Sequence, residues 1–290
     1  MRIAVIGSNG QLGSDLVREF AARGDETTAL THSDIEVGDY RSVESLLQEI
    51  GPNVVLNTAA FHVVQQCESD PHRAFQVNAL GALNIAKVCE QLKAVSVFFS
   101  TDYVFSGAKQ KPYVETDPPC PLNMYGGTKL LGEYYTLDNA RESLVLRVSG
   151  LYGSVPCRAK GGNFISTMLK ASEQRSVVKV VRDEILTPTP TSEIASKTYE
   201  LIMNGVRGLV HLTCEGECSW YEFARVIFDT LNLRTPLEPC SANDFPSTVK
   251  RPLYSVLENQ RMKDLHLGDM PHWEDALVRF LKHLQRSSAQ

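Results

Sequence analysis

The sequence predicts an α/β protein: a doubly wound parallel sheet followed by a smaller mixed α/β C-terminal domain. Three observations carry that reading. First, a β-rich apolar run, Arg2–Ile6, breaks into the glycine turn Gly7-Ser8-Asn9-Gly10-Gln11-Leu12-Gly13. Second, that turn opens an amphipathic stretch with Leu12, Leu16, Val17 and Phe20 along one face, which is strand, turn, helix in order. Third, short apolar runs recur between helical stretches, and the run at 94–99, Ala-Val-Ser-Val-Phe-Phe, is almost continuous, as a parallel strand covered on both faces must be.

The remaining elements follow in order. Glu26–Leu30 reads as a second strand. Val43, Leu46, Leu47 and Ile50 make a helix stripe closed by Gly51-Pro52, and residues 54–56 form a third strand ending in Asn57-Thr58-Ala59-Ala60. A long helical stretch carries Ala74, Val77, Leu80, Leu83, Ile85, Ala86 and Cys89, with Asn78 inside it. Beyond Gly150 the regular alternation stops, which divides the chain into a nucleotide-binding domain, 1–150 with 176–204 returning to it, and a mainly substrate-binding domain, 151–290. In the second part residues 153–163 read as a loop, 164–171 as a helix and 177–181 as a strand. Ser192 is expected to cap a helix running through Tyr199 to Met203, and 209–212 to be a short β segment. Trp220–Leu231 is strongly amphipathic, and its aromatic members are expected in the core; residues 286–290 read as a frayed tail.

Composition excludes several classes. With 290 residues, 43% of them hydrophobic, the chain can bury the core of one large α/β unit or two unequal lobes. A net charge of −5 offers no basic footprint for nucleic acid and no attraction to anionic lipid, so neither nucleic acid nor membrane is expected as a partner. The first strand begins at once, without a leader pattern, and no run approaches about eighteen apolar residues, so the cytoplasm is the expected location. The seven cysteines read as reduced thiols. Cys214 and Cys218 lack a second Cys/His pair at ligand spacing, and no metal is expected.

The chemistry is written in two places. In the glycine turn, Gly7 allows the bend, Gly10 lets a pyrophosphate approach the backbone, and Gly13 lets the helix pack closely on the strand, so the turn reads as a dinucleotide site. The cofactor set is Gly7, Asn9, Gly10, Gln11 and Leu12 at the turn, His32, Glu36 and Val37 beyond the second strand, Ala59 and Ala60, Asn78, Ser100, Tyr125 and Lys129. At the second strand's tip stand Thr31-His32-Ser33, where a carboxylate normally holds the ribose of NAD; a 2′-phosphate is not repelled, and NADPH is the expected cofactor with NADH as the alternative. The second place is Tyr125 and Lys129, four residues apart and therefore on one face of a helix. An ammonium there is expected to lower the phenol's pKa, so that the pair passes a proton to or from a carbonyl oxygen, while Thr101 at the end of the fourth strand hydrogen-bonds that carbonyl.

Taken together, Gly-Ser-Asn-Gly-Gln-Leu-Gly, Asn-Thr-Ala-Ala, Val-Asn-Ala-Leu-Gly, Phe-Ser-Thr-Asp-Tyr-Val-Phe-Ser-Gly and Tyr-Gly-Gly-Thr-Lys-Leu-Leu-Gly-Glu resemble the dTDP-4-dehydrorhamnose reductase family of extended short-chain dehydrogenases. Later segments agree: Gly162-Asn163-Phe164, Asp183 through Thr-Pro-Thr at 187–189, Ser219-Trp220-Tyr221-Glu222, and Arg251-Pro252 followed by Ser255. The resemblance implies a reductase of a nucleotide-linked 4-keto sugar, with Thr101, Tyr125 and Lys129 catalytic and Thr101, Asp102, Tyr103, Asn163 and Arg251 binding substrate. A guanidinium at Arg251 suits a substrate diphosphate. The chain also departs from the family. Where its members usually carry an Asp-Lys pair, this chain has Phe61-His62-Val63-Val64-Gln65-Gln66, and where they carry a tryptophan it has Gly150. A different 4-keto sugar, or a different carbonyl, therefore fits the same proton-transfer set. Asp15 and Glu193 stand where some members bridge a dimer through metal, but two isolated carboxylates read as surface, and a homodimer is left open. An alternative follows from the same fold, which also resembles the non-catalytic regulatory subunit of methionine adenosyltransferase.

Overall fold

The computed structural model describes residues 1–157, 161–245 and 249–288. In chain order the first part runs β1 (Arg2–Ile6), α1 (Gln11–Ala22), β2 (Glu26–Leu30), α2 (Tyr40–Ile50), β3 (Val54–Asn57), α3 (Val64–Ser69), α4 (Pro71–Phe75), α5 (Gly81–Leu92), β4 (Val95–Thr101), α6 (Met124–Asn139) and β5 (Ser143–Val148). The second part runs β6 (Leu151–Tyr152), α7 (Phe164–Gln174), β7 (Val178–Val181), β8 (Ile185–Leu186), β9 (Thr189–Pro190), α8 (Thr191–Met203), β10 (Gly208–His211), β11 (Cys218–Ser219), α9 (Trp220–Leu231), β12 (Leu237–Cys240), α10 (Gln260–Asp264) and α11 (Trp273–Ser288).

Strand pairing builds a six-stranded parallel sheet in the order β10-β5-β4-β3-β1-β2. The chain starts at β1, steps out to β2 and then returns past β1 to β3, so the order reverses between β1 and β3 and opens a crevice at the carboxyl ends of the strands. Alternation along β1 shows why helices cover both faces. Ile3 and Val5 pack with Leu16 and Phe20 of α1 and Ile194 of α8, whereas Ala4 and Ile6 pack with Val43 and Leu47 of α2 and Ile85 and Val88 of α5. The second lobe has its own core, where Tyr152, Ile165 and Met168 meet Val178, Phe223, Ile227, Trp273 and Leu277.

Several local expectations are corrected. The strand expected at 94–99 continues to Thr101, because Ser100 and Thr101 find partners in Arg147 and Val148 of β5. The helical stretch around Asn78 is α4 and α5 joined by a π-helical segment, Gln76–Leu80, a distortion typical of functional sites. Ser192 does not cap α8: the helix starts at Thr191 behind Pro190, whose φ of −70° needs no side-chain cap to direct the turn. Of the expected 176–204 return, α8 packs on α1, but β7 pairs with β12 in the second lobe, and β10, further along, joins the main sheet beside β5. The loop expected at 153–163 includes 158–160, and the tail at 286–290 includes 289–290, both outside the described residues; α11 continues to Ser288.

Candidate active site

One cleft of about 710 Å³ follows the carboxyl edge of the sheet. At its nucleotide end β1 runs into Gly7, whose φ of +80° lets its N–H and that of Ser8 both donate to the Leu30 carbonyl of β2 (2.8 and 3.0 Å). The α1 helix must pass close to this turn: a Cβ on Gly13 would stand 2.2 Å from the Gly7 carbonyl oxygen, so only glycine fits. Gly10 caps α1 without a side-chain bond, which leaves the first-turn N–H groups and the positive end of the helix dipole facing the cleft. Together with a turn free of side-chain bulk, this donor set fits a dinucleotide diphosphate.

Most expected cofactor residues line the cleft: Gly7, Asn9, Gly10, Gln11, Leu12, His32, Glu36, Val37, Ala59, Ala60, Ser100, Tyr125 and Lys129. Asn78 does not. It is fully buried, its amide accepts from the Phe61 N–H (2.8 Å) and donates to the Phe61 carbonyl (2.9 Å) and to Thr128 Oγ1 (3.1 Å), so it fixes the wall beyond β3 against α6 from behind. Sequence reading missed Arg73. From α4 it lines the rim beside the tip of β2 and pairs with Glu36 at 3.1 Å, while His32 Nδ1 lies 3.9 Å from the same carboxylate. Burial pushes the Glu36 carboxyl upward, but the Gly38 N–H and Arg73 outweigh it and hold it below its ordinary value.

The catalytic face forms where α6 crosses the end of β4. Asn123 caps α6 through the Gly126 N–H (2.9 Å), which starts the helix just before Tyr125 and presents Tyr125 and Lys129 to the cleft together with Thr101. The expected lowering of the phenol by the ammonium is not what this arrangement produces. Enclosure by protein pushes the Tyr125 phenol above its ordinary value, and the hydrogen bond with Thr101 pulls only part of the way back. Burial pushes the Lys129 amine down to about 7 against the opposing charge of Glu133, and its Nζ lies 3.9 Å over the Phe98 ring. Beneath this face Glu133 accepts from Ser100 Oγ (2.5 Å) and from Arg147 Nε and Nη2 (2.8 and 2.7 Å). The repeat Tyr125, Lys129, Glu133, each four apart on α6, was visible in the sequence and could have flagged this third member.

On the substrate side, Thr101, Asp102, Tyr103 and Asn163 line the cleft and Arg251 does not, although its neighbour Pro252 does. The Arg251 Nε is buried without a hydrogen-bond partner among the described residues. Asn163 caps α7, and its amide donates to Gln11 Oε1 and the Gly153 carbonyl (3.0 Å each), tying the second lobe to the phosphate turn. Gly150 has φ +55°, and a Cβ there would stand 2.9 Å from both Leu186 Cδ1 and Pro188 Cα, so this backbone leaves no room for an aromatic wall at that position. The aromatic surface comes instead from Trp220, stacked on Phe164 with centroids 4.5 Å apart, and both line the cleft. Trp220, expected in the core, packs against it and also faces the site, whereas Phe223 and Phe228 of the same helix are buried. Glu184 also reaches the cleft; burial pushes its carboxyl up, against Arg251 and the Trp220 indole N–H. Where the family Asp-Lys pair is missing, Gln65 and Gln66 are exposed and away from the cleft, while His62 lines it with Nε2 3.2 Å from Cys157 Sγ. Among the described residues no cluster of His, Cys, Asp or Glu could hold a metal ion, and Asp15 is taken up by Thr191 (2.5 Å) and Arg18 (2.7 Å).

A parallel sheet with its glycine turn at the switch point, and a Tyr/Lys pair on the helix behind the fourth strand, define a reductase fold of the extended short-chain dehydrogenase type. A family model described as the RmlD substrate binding domain matches residues 1–286. The chain is 36% identical over 288 residues to the spore coat polysaccharide biosynthesis protein SpsK of Bacillus subtilis, with 99% of each chain covered. A solved dTDP-4-dehydrorhamnose reductase from Clostridium acetobutylicum superposes with a TM-score of 0.94 at 35% identity, covering 98% of this chain and 100% of that one. A second, from Bacillus anthracis and in complex with NADP, gives 0.93 at 32% identity and covers 97% and 99%. The chain belongs to the dTDP-4-dehydrorhamnose reductase family.

Proposed function

We propose that the chain is an NADPH-dependent reductase of a nucleotide-linked 4-keto sugar, of the dTDP-4-dehydrorhamnose reductase kind, working in the cytoplasm. The convergence of Thr101, Tyr125 and Lys129 on one cleft with the dinucleotide turn carries this reading. When bound, the nicotinamide supplies hydride. The chain supplies the proton and the geometry. A phenol raised above its ordinary pKa is protonated at neutral pH, which is the state a proton donor to a ketone oxygen needs, and Lys129, held near 7, is charged for part of the time and stabilises the phenolate that results. Glu133 and Arg147 hold Ser100, and with it the end of β4, under this set. Tyr103 just beyond β4 and, in the second lobe, Glu184 and the Trp220–Phe164 stack line the cleft and offer polar and aromatic contacts to a sugar nucleotide.

The regulatory alternative is not favoured: a repurposed site would have no reason to keep the phenol, ammonium and threonine hydroxyl together, and several relatives bear reductase names. The deciding measurement is NADPH oxidation with dTDP-4-dehydrorhamnose and related 4-keto sugars, comparing wild type with Tyr125→Phe. Turnover should fall by about 10²–10⁴-fold while NADPH affinity stays within about three-fold. Unchanged turnover in the variant, or tight NADPH binding with no turnover by the wild type, defeats the proposal.

A further inference from the structure

Gln11 opens α1 at the dinucleotide turn, yet its side-chain oxygen is taken up by the second lobe. Oε1 accepts from the Gly153 N–H (3.1 Å) and from Asn163 Nδ2 (3.0 Å), and Asn163 Nδ2 also donates to the Gly153 carbonyl (3.0 Å). Neither amide can be turned round. The backbone N–H groups of Gly153 and Ser166 can only donate, the first to Gln11 and the second to Asn163 Oδ1 (3.0 Å), which fixes oxygen and nitrogen in both side chains. The approach is close because Gly153 has no side chain: a Cβ there would stand 2.3 Å from Thr191 Oγ1 and 3.5 Å from Gln11 Cβ. One turn further along α1, Asp15 accepts from that same Thr191 Oγ1 (2.5 Å) at the start of α8, so one face of α1 holds both Gly153 and Thr191.

We infer that Gln11 is a positioning residue for the sugar nucleotide, acting from the cofactor side of the cleft through Asn163 on the aromatic wall of the second lobe. Asn163 is the N-cap of α7, and the next residue, Phe164, stacks on Trp220 in the wall of the cleft, with Thr167 one turn beyond. An asparagine held only by its own cap bond can shift together with α7. One that also donates to Gln11 fixes where α7 begins relative to the dinucleotide turn, and with it the separation between that turn and the aromatic wall. The diphosphate itself needs none of this, because the donors that face it are the first-turn N–H groups of α1, which do not depend on the Gln11 side chain. Gln11 therefore serves the sugar side, although its place in the chain is among the cofactor residues.

The inference rests on the reductase reading, and two substitutions at one position test it. Gln11→Met removes the acceptor at nearly unchanged length. Calorimetry with dTDP-rhamnose in the absence of cofactor should show affinity falling by about ten-fold, with KM for the 4-keto sugar nucleotide rising to match, while the NADPH Kd from fluorescence titration stays within about three-fold. Gln11→Glu keeps an oxygen acceptor for both donors and should hold dTDP-rhamnose affinity within about three-fold of wild type, whereas its charge beside the anion turn should weaken NADPH by about ten-fold or more. Equal losses of both ligands in Gln11→Met, a larger loss of NADPH, or no loss of either overturns the inference, as does a Gln11→Glu that loses dTDP-rhamnose as Gln11→Met does. If Gln11→Met fails to fold, Gln11→Ser replaces it with the same expected split. In either background, adding Asn163→Ser, whose hydroxyl still caps α7 but does not reach Gln11, should change dTDP-rhamnose affinity by less than about two-fold, and effects that multiply overturn the inference in favour of direct contact by Asn163. A wild type that neither binds dTDP-rhamnose nor turns over a 4-keto sugar defeats the function and the inference with it; a wild type active by both measures beside a Gln11→Met that weakens NADPH first sinks the inference alone.

Discussion

Two Arg–Glu pairs differ in how they relate to the cleft, one buried beneath its catalytic face and one on its rim. Under the catalytic face, Arg147 and Glu133 meet at 2.7 Å with side chains 3% and 2% exposed; at the rim beside β2, Arg73 and Glu36 meet at 3.1 Å with 32% and 35% exposed. The chemistry is the same and the consequences are opposite. In the buried pair every partner is fixed by another protein group, Glu133 by Ser100 and Arg147 by His211 and the Phe105 ring, so neither charge can change partner without being left alone in a low dielectric. Water replaces a lost partner at the rim, so exchanging Glu36 for a ligand group costs little there. One pair serves as a foundation, the other as a contact that a ligand can take over.

Breaking the buried pair should have the largest effect. Arg147→Met leaves Ser100 as the one hydrogen-bond donor to Glu133 among the described residues, and urea unfolding should show a loss of about 3–5 kcal/mol. A loss below about 1 kcal/mol would mean that water reaches the pair and that the contrast between the two pairs is false. Next comes the acid response of the same cluster. Arg147 Nη1 faces His211 Nε2 at 3.3 Å while Nδ1 lies 3.1 Å from the carbonyls of Tyr113 and Glu258, so the ring is held neutral; burial and the Arg147 charge bring its pKa down from 6.5 to about 3. Between those values the unfolded chain binds a proton that the native chain refuses, so this contribution is intact above pH 6.5 and is lost as the pH falls towards about 3. His211→Asn, which can still donate to a carbonyl, should make the slope of stability between those limits shallower, by at most about 1.4 kcal/mol per pH unit. Parallel wild-type and variant curves would show that His211 is not the group that titrates.

How far the sequence could be read follows from how local each feature is. The glycine turn and the Tyr125/Lys129 spacing are set within a few residues by backbone sterics and helix period, and both lie in the cleft as expected. The Asp102 carboxylate accepts from Ser149 and Ser255, 47 and 153 positions away, and no period or turn signal links them. Gly150 illustrates a half-legible case: the loss of bulk was plain, but the reason, contact with Leu186 and Pro188 from a later segment, lies in the packing. Trp220 is another half-legible case: it packs against the second-lobe core as expected, but an amphipathic stripe shows only which residues avoid water and not that its first member also borders a cleft. The direction of the Tyr125 shift failed because a charge partner is visible in spacing, whereas desolvation depends on everything folded over the pair.

The smallest effect on stability, and the sharpest on ligand choice, belongs to the rim. Arg73→Gln should cost less than about 1 kcal/mol in unfolding, because both members of its pair are about one-third exposed. Its effect on the cofactors should be unequal. Arg73 lines the rim beside Thr31 and His32, and its pair with Glu36 is one a 2′-phosphate could take over; a charge-assisted hydrogen bond of about 1.5–3 kcal/mol corresponds to roughly a ten-fold or larger change in affinity. Steady-state assays with both nicotinamides should show KM for NADPH rising by about that factor and KM for NADH by less than about three-fold, with the NADPH effect weakening as salt is added. Equal rises for both cofactors would show that Arg73 acts by holding Glu36 in place, and the rim would then be a second foundation rather than an exchangeable contact.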